Sequence, residues 1–146
     1  MESSRRGFLK ATAAGSALAV STDAIAQDDS KKLRLASIGV GGSRGRYSRG
    51  GSIARDAAKH ANMVAVCDVD DVHAAEFNKA FGGKLNTYRD YRVMLREETP
   101  DVVTIGTPDH WHRLQIVAAL KAGKHVYAEK PMTKTVEEAL DVVKVW

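Results

Sequence analysis

An α/β fold built on a doubly wound parallel sheet is what this sequence predicts, and three observations predict it. From residue 33 onward short apolar runs alternate with helical patterns, a glycine-rich stretch directly follows the first run, and an acidic residue closes the second. The runs at 63–66 and 102–105 are almost continuously apolar, as strands covered on both faces are; a strand with one wet face alternates instead. Right-handed crossovers between such strands make a doubly wound sheet the economical topology.

A polar linker at 27–32 leads into the first strand, expected at 33–39. A helix at 52–60 and a strand at 63–68 complete a βαβ unit, and a second helix is expected at 72–81. Gly82 and Gly83 then break the pattern. A short extended segment at 85–88 and a helix at 91–98 follow, with Pro100 helping to end that helix. The next strand is expected at 102–106. In the helix at 111–121, Trp111, Leu114, Val117 and Ala118 have the spacing of one buried face, and Gly123 stands where a C-cap glycine belongs. A strand at 125–128 comes next, and Thr135 with Glu138 forms a capping-box pattern that opens a last helix.

With 146 residues, 44% of them hydrophobic and 27% charged, the chain suits one ordinary globular domain. The net charge of +4 is spread without a run of Lys and Arg, which argues against a nucleic-acid footprint. Cys67 is the only cysteine, so an internal disulfide and a cysteine-rich zinc site are excluded; it reads as a small buried hydrophobe.

The N-terminal residues Ser4, Arg5, Arg6, Gly7, Phe8, Leu9 and Lys10 resemble the twin-arginine export signal. A stretch of small apolar residues at 11–20 follows, and Ala24, Ile25 and Ala26 offer a cleavage site before Gln27. A spanning helix needs about 20 predominantly apolar residues, more than this run supplies, so no stable membrane anchor is expected. The expected organisation is a signal peptide at 1–26, a linker at 27–32 and a folded domain at 33–146. The product would be periplasmic or otherwise exported, folded and carrying its cofactor before export.

After the first strand come Gly39, Val40, Gly41, Gly42, Ser43, Arg44 and Gly45. Glycines suit this place because the turn is tight and side chains would keep backbone N–H groups from the phosphates of a dinucleotide at the helix N-terminus. Gly39 and Gly41 fill the first two positions of a GxGxxG pattern. The third falls on Arg44, with Gly45 one residue later, so either Gly45 makes the close helix contact from a lengthened loop or Arg44 points outward and adds charge near the phosphates. Asp68 lies 23 positions beyond Gly45, where such a fingerprint places an acid that accepts from the adenosine ribose hydroxyls. Its charge would repel a 2′-phosphate, which favours NAD over NADP. The alternative is that Asp68, like Asp70 or Asp71, caps the next helix.

Two later stretches narrow the reading: Thr107, Pro108, Asp109, His110, Trp111 and His112 after the third apolar strand, and Gly123 to Pro131 (Gly-Lys-His-Val-Tyr-Ala-Glu-Lys-Pro) around the next. Together with the glycine loop they resemble the glucose-fructose oxidoreductase, inositol dehydrogenase and MocA-like (Gfo/Idh/MocA) family over residues 33–146. The resemblance implies that Thr107, Pro108, His110 and His112 line the cofactor groove, that Glu129 contacts the nicotinamide-side ribose, and that Lys130 faces the substrate as the catalytic lysine. It also implies a cis peptide before Pro131, which joins the cofactor-binding set. Both stretches follow strand C-termini, where open α/β sheets bind ligands. An ammonium there can polarise a hydroxyl or carbonyl oxygen during hydride transfer.

Asp109, His110 and His112 also raise a metal site, but residues so close together at a helix start do not all converge, and no metal is expected. His60, His73 and His125 form no constellation. The family continues into a second domain that supplies most of the substrate pocket and the groups assigned to proton transfer; that C-terminal substrate domain is expected to be absent here. Three readings compete: the cofactor half of an exported NAD-dependent oxidoreductase with a sugar or polyol-like substrate, a non-catalytic dinucleotide-binding module, and a truncated remnant. An oligomer is compatible with all three.

Overall fold

The computed structural model describes residues 32–42 and 48–146. The export signal, its cleavage site, and Ser43, Arg44 and Gly45 lie outside the described residues. Within them, strands and helices alternate: β1 (Arg34–Ile38), α1 (Arg49–Ala57), β2 (Asn62–Cys67), α2 (Asp71–Lys79), β3 (Asn86–Tyr88), α3 (Tyr91–Glu98), β4 (Val102–Ile105), α4 (Asp109–Lys121), β5 (His125–Ala128) and α5 (Val136–Val145). The sheet is parallel throughout, in the order β3-β2-β1-β4-β5. Ile38 at the end of β1 pairs with Cys67 on one side and with Ile105 on the other. Strand order reverses there, and in open α/β sheets that reversal opens a crevice at the strand C-termini.

Alternate residues of each central strand enter different cores. Leu35, Val66 and Met63 pack with Ala54 of α1 and with Ala74 and Phe77 of α2. Ala36, Ile38, Ala65, Cys67, Val103 and Ile105 pack with Met94 and Leu95 of α3, Ile116 and Ala119 of α4, and Val142 of α5. Coverage of both faces accounts for the near-continuous apolar runs. One buried polar pair interrupts them: the Ser37 and Thr104 hydroxyls share a 2.6 Å hydrogen bond, so neither is left unsatisfied. At the β3 edge, Glu98 is buried and accepts from Asn86 Nδ2 at 2.6 Å and the Tyr88 hydroxyl at 2.7 Å, tying α3 to that edge strand.

Helix starts follow capping chemistry. Ser48, Asp70, Asp90 and Thr135 each accept from a backbone N–H of the first turn. Ser48 starts α1 at Arg49, ahead of the expected 52. In the capping box of α5, Glu138 N donates to Thr135 Oγ1, while Glu138 Oε2 accepts from Lys134 N.

One expected face is corrected. Trp111 and Leu114 of α4 are exposed, and the helix instead buries His112, Gln115, Ile116 and Ala119; Val117 and Ala118 are partly buried at the margin of the core. The inward face carries two polar side chains because the loop before the helix offers them hydrogen-bond partners.

Candidate functional site

Backbone hydrogen bonds bring the loops after four strands to one level. Just past β1, β2, β4 and β5, the amides of Gly39, Asp68, Gly106 and Glu129 donate to the carbonyls of Cys67, Tyr88, Ile38 and Ile105, at 2.8 to 3.0 Å. The start of the glycine loop, Asp68, the segment at Thr107 and the segment at Glu129 therefore leave the sheet on the same edge.

Gly39 has φ +76°, a backbone that favours glycine, and a Cβ there would also lie 2.6 Å from Thr107 Cγ2. Gly50, in the first turn of α1, approaches the sheet more closely still: a Cβ on it would sit 1.9 Å from the Gly39 carbonyl oxygen and 2.9 Å from that of Gly106. Gly50 thus makes a close helix contact with the sheet; Gly45, one of the sequence's candidates for such a contact, lies outside the described residues. Ser48 secures that approach. Its hydroxyl donates toward the Val40 carbonyl at 2.6 Å, with the Gly41 carbonyl at 2.9 Å, and accepts from Gly51 N at 3.0 Å.

Asp68 is nearly buried, at 9% exposure, and does not cap α2; Asp70 does. Its Oδ2 accepts from the amides of Val40 at 3.0 Å and Gly41 at 2.9 Å, and its Oδ1 accepts from Asp70 N at 3.0 Å. These bonds aim the carboxylate at the glycine loop. His73, which sequence reasoning set aside, belongs to the same corner: its Nδ1 is 3.8 Å from Asp68 Oδ1 and from Asp70 Oδ2, and its ring lies where a Cβ on Gly41 would have to go. A histidine one helical turn beyond an N-cap aspartate was the available signal.

On the other side of the crevice, the Thr107 hydroxyl donates to Gln115 Oε1 at 2.6 Å. His112 is only 1% exposed. Its Nδ1 lies 2.7 Å from the Pro131 carbonyl oxygen and its Nε2 2.8 Å from that of Thr107. His112 therefore lies beneath the loops, with both ring nitrogens facing backbone carbonyls. His110 is exposed beside Asp109, with Nδ1 3.7 Å from Oδ1. Since His112 turns inward, the three residues do not converge, and among the described residues no group of three or more His, Cys, Asp or Glu could hold a metal ion.

Glu129 leaves the end of β5 and accepts from Arg49 Nε at 3.0 Å, joining β5 to the start of α1. The Arg49 hydrogen bond holds the Glu129 carboxyl below its ordinary 4.5. Lys130 is exposed at the crevice edge, and the Lys130–Pro131 peptide is cis. Cys67 faces the core, where burial pushes its thiol up to about 12, so it offers no nucleophile.

The arrangement fits a dinucleotide on two counts. Backbone at Gly39, Gly50 and Gly106 is packed too closely for side chains, and the first turn of α1 carries no acidic residue to oppose an anion at its N-terminus.

Residues 33–146 match the family described as oxidoreductase family, NAD-binding Rossmann fold (Gfo/Idh/MocA). The chain belongs to this family. Among curated relatives, a glycosyl hydrolase family 109 protein of Parabacteroides distasonis is 34% identical over 175 residues, covering 99% of this chain and 36% of that protein. Glucose-6-phosphate 3-dehydrogenase of Bacillus subtilis is 31% identical over 109 residues, covering 75% of this chain and 28% of that one. Scyllo-inositol dehydrogenase of Lactobacillus casei, solved with NAD(H) and scyllo-inositol, superimposes with a TM-score of 0.68 at 29% identity over 79% of this chain and 33% of its own. The WlbA dehydrogenase of Bordetella pertussis, solved with NADH and UDP-GlcNAcA, gives 0.65 at 28% identity over 79% and 34%. The chain therefore spans about a third of the length of these Gfo/Idh/MocA relatives. The fold is their Rossmann domain, five parallel strands with helices on both faces.

Proposed function

We propose that this chain is the NAD-binding half of an exported oxidoreductase that exchanges a hydride with a sugar or polyol-like substrate. The observation that carries the reading is Asp68, held by the amides of Val40 and Gly41 at the C-terminal ends of β1 and β2. A carboxylate there accepts from the hydroxyls of an adenosine ribose and repels a 2′-phosphate, so NAD is preferred to NADP. Gly39, Gly41 and Gly42, with Ser43, Arg44 and Gly45, form the loop around the pyrophosphate at the N-terminus of α1. Thr107, Pro108 and His110 line the nicotinamide half, and Glu129 accepts from the second ribose once Arg49 yields it.

Bound NAD(H) supplies the hydride acceptor or donor. Lys130, exposed at the end of β5, is placed to donate a hydrogen bond to the substrate oxygen whose carbon loses or gains that hydride. The dehydrogenase relatives support a polyhydroxylated substrate. Calorimetric titration tests the cofactor assignment: NADH should bind at least tenfold more tightly than NADPH, and equal affinity would overturn it.

A second reading is favoured by several relatives named glycosyl hydrolase family 109 proteins, from Shewanella and Parabacteroides. The Parabacteroides protein, matched along 99% of this chain, is named a glycosyl hydrolase. In an NAD-dependent glycosidase a hydride is withdrawn from the sugar and later returned, leaving no net redox change. Hydrolysis of an aryl glycoside that requires NAD yet accumulates no NADH would select this reading; stoichiometric NADH would select the dehydrogenase.

Export rests on Arg5 and Arg6 and the small apolar run after them. Changing both arginines to lysine should leave an uncleaved cytosolic product. Continued export would remove the periplasmic assignment. If the chain binds dinucleotide without turnover, it acts as a binding module that another domain or chain completes.

A further inference from the structure

The contacts of His112 go beyond the lining role that family resemblance suggests. Its ring lies under two segments that meet at the nicotinamide side of the crevice, facing the Thr107 carbonyl before α4 and the Pro131 carbonyl after β5. Both partners are carbonyl oxygens, which only accept, so the ring is the donor; a neutral ring has one N–H and donates to one of them, and only the doubly protonated ring donates to both. Gln115, three residues along the same buried face of α4, holds the Thr107 hydroxyl, so the loop at 107–108 is fixed from below by two side chains. The segment after β5 has fewer anchors. Glu129 N is bonded to the Ile105 carbonyl and its carboxylate to Arg49, while Thr133 Oγ1 and Lys134 N bond locally to Thr135 and Glu138; among the described residues, the bond from 130–132 to another element is the one to Pro131 from His112.

We propose that His112 is a positioning residue that sets Lys130 and the nicotinamide-side wall by tying Pro131 to the loop at Thr107. The proposal rests on the NAD reading above and assigns His112 an indirect part, since the side chain is only 1% exposed. It separates the two halves of the crevice. The adenosine side, built by Asp68, His73 and the glycine loop, is held by bonds that do not involve α4. Loss of the tie should therefore affect NAD+ and leave ADP, which occupies the adenosine side alone.

The test measures NAD+ and ADP affinities by calorimetry on the full chain and on His112→Leu, His112→Asn and His112→Gln. An asparagine amide nitrogen falls near ring Nδ1 and can keep the bond to Pro131, whereas that of glutamine falls near Nε2 and can keep only the bond to Thr107. In His112→Leu, NAD+ should weaken about tenfold, one hydrogen bond's worth, with ADP within about twofold of the parent. Asparagine should recover most of the loss and glutamine little of it. Equal weakening of both ligands would make His112 a general fold residue and overturn the proposal, as would no change in either. If His112→Leu does not fold, equal behaviour of the asparagine and glutamine variants overturns it. A parent chain that binds neither ligand defeats the cofactor reading and this proposal together; a parent that binds both, with variants that do not discriminate, defeats this proposal alone.

Discussion

Asp68 reaches back 27 positions to accept a hydrogen bond from the amide of Gly41 at 2.9 Å, so the acid that closes β2 also shapes the turn that follows β1. The same oxygen takes the Val40 amide. Hydrogen bonds to a charged group are worth about 1.5–3 kcal/mol, which makes the carboxylate part of the loop's architecture before any ligand arrives. Asp68→Ser should cost about 2 kcal/mol in urea unfolding and narrow the preference for NADH over NADPH. An unchanged ratio of the two affinities would remove Asp68 from cofactor selection.

Gly50 and Gly41 should respond differently to alanine. On Gly50 the added carbon meets backbone, the Gly39 carbonyl oxygen at 1.9 Å, and backbone cannot step aside cheaply. Alanine gains about 1 kcal/mol of helix propensity but loses more to overpacking, for a net destabilisation of about 2 kcal/mol. On Gly41 the obstacle is the ring of His73, a side chain that can swing away. Gly41→Ala should therefore be partly rescued by His73→Ala, and additive costs in that double-mutant cycle would refute the contact.

Arg49 and Glu129 make a pH-dependent tie across the crevice. The lowered Glu129 pKa contributes stability above the ordinary 4.5, and that contribution is lost as pH falls through the lower folded value. Arg49 is 57% exposed, so salt should weaken the pair. Carbon-13 titration of the Glu129 carboxyl should show its pKa rise to the ordinary range in Arg49→Ala, and no rise would mean that the pair does not form in solution.

Cys67 reports on the core. Being 2% exposed, with its thiol pushed up to about 12, it should resist thiol reagents in the native state and react at the rate of unfolding. Rapid labelling without loss of helical circular dichroism would contradict its placement.

The parallel sheet and its element order were legible because both signals are local: apolar runs set the strands, and Gly39, Gly41 and Asp68 mark the first βαβ unit. Other features depend on tertiary partners. The start of α1 was hidden because Arg-Gly-Gly reads as loop, while Gly50 is in the helix to let it approach the sheet. Counting apolar residues selected Trp111 and Leu114 for the buried face of α4; the fold buries His112 and Gln115 instead, since carbonyls and a hydroxyl from distant loops satisfy them. His73 gave almost no signal, as its importance lies in a glycine 32 positions earlier.

The central claim is that the crevice at the C-termini of β1 and β4 binds a dinucleotide. Amide chemical-shift mapping during NAD+ titration tests it most directly. Saturable shifts should concentrate at Gly39, Gly41, Asp68, Thr107 and Glu129 and leave the β3 edge around Asn86 unmoved. Failure to saturate, or shifts centred on that far edge, would contradict the account.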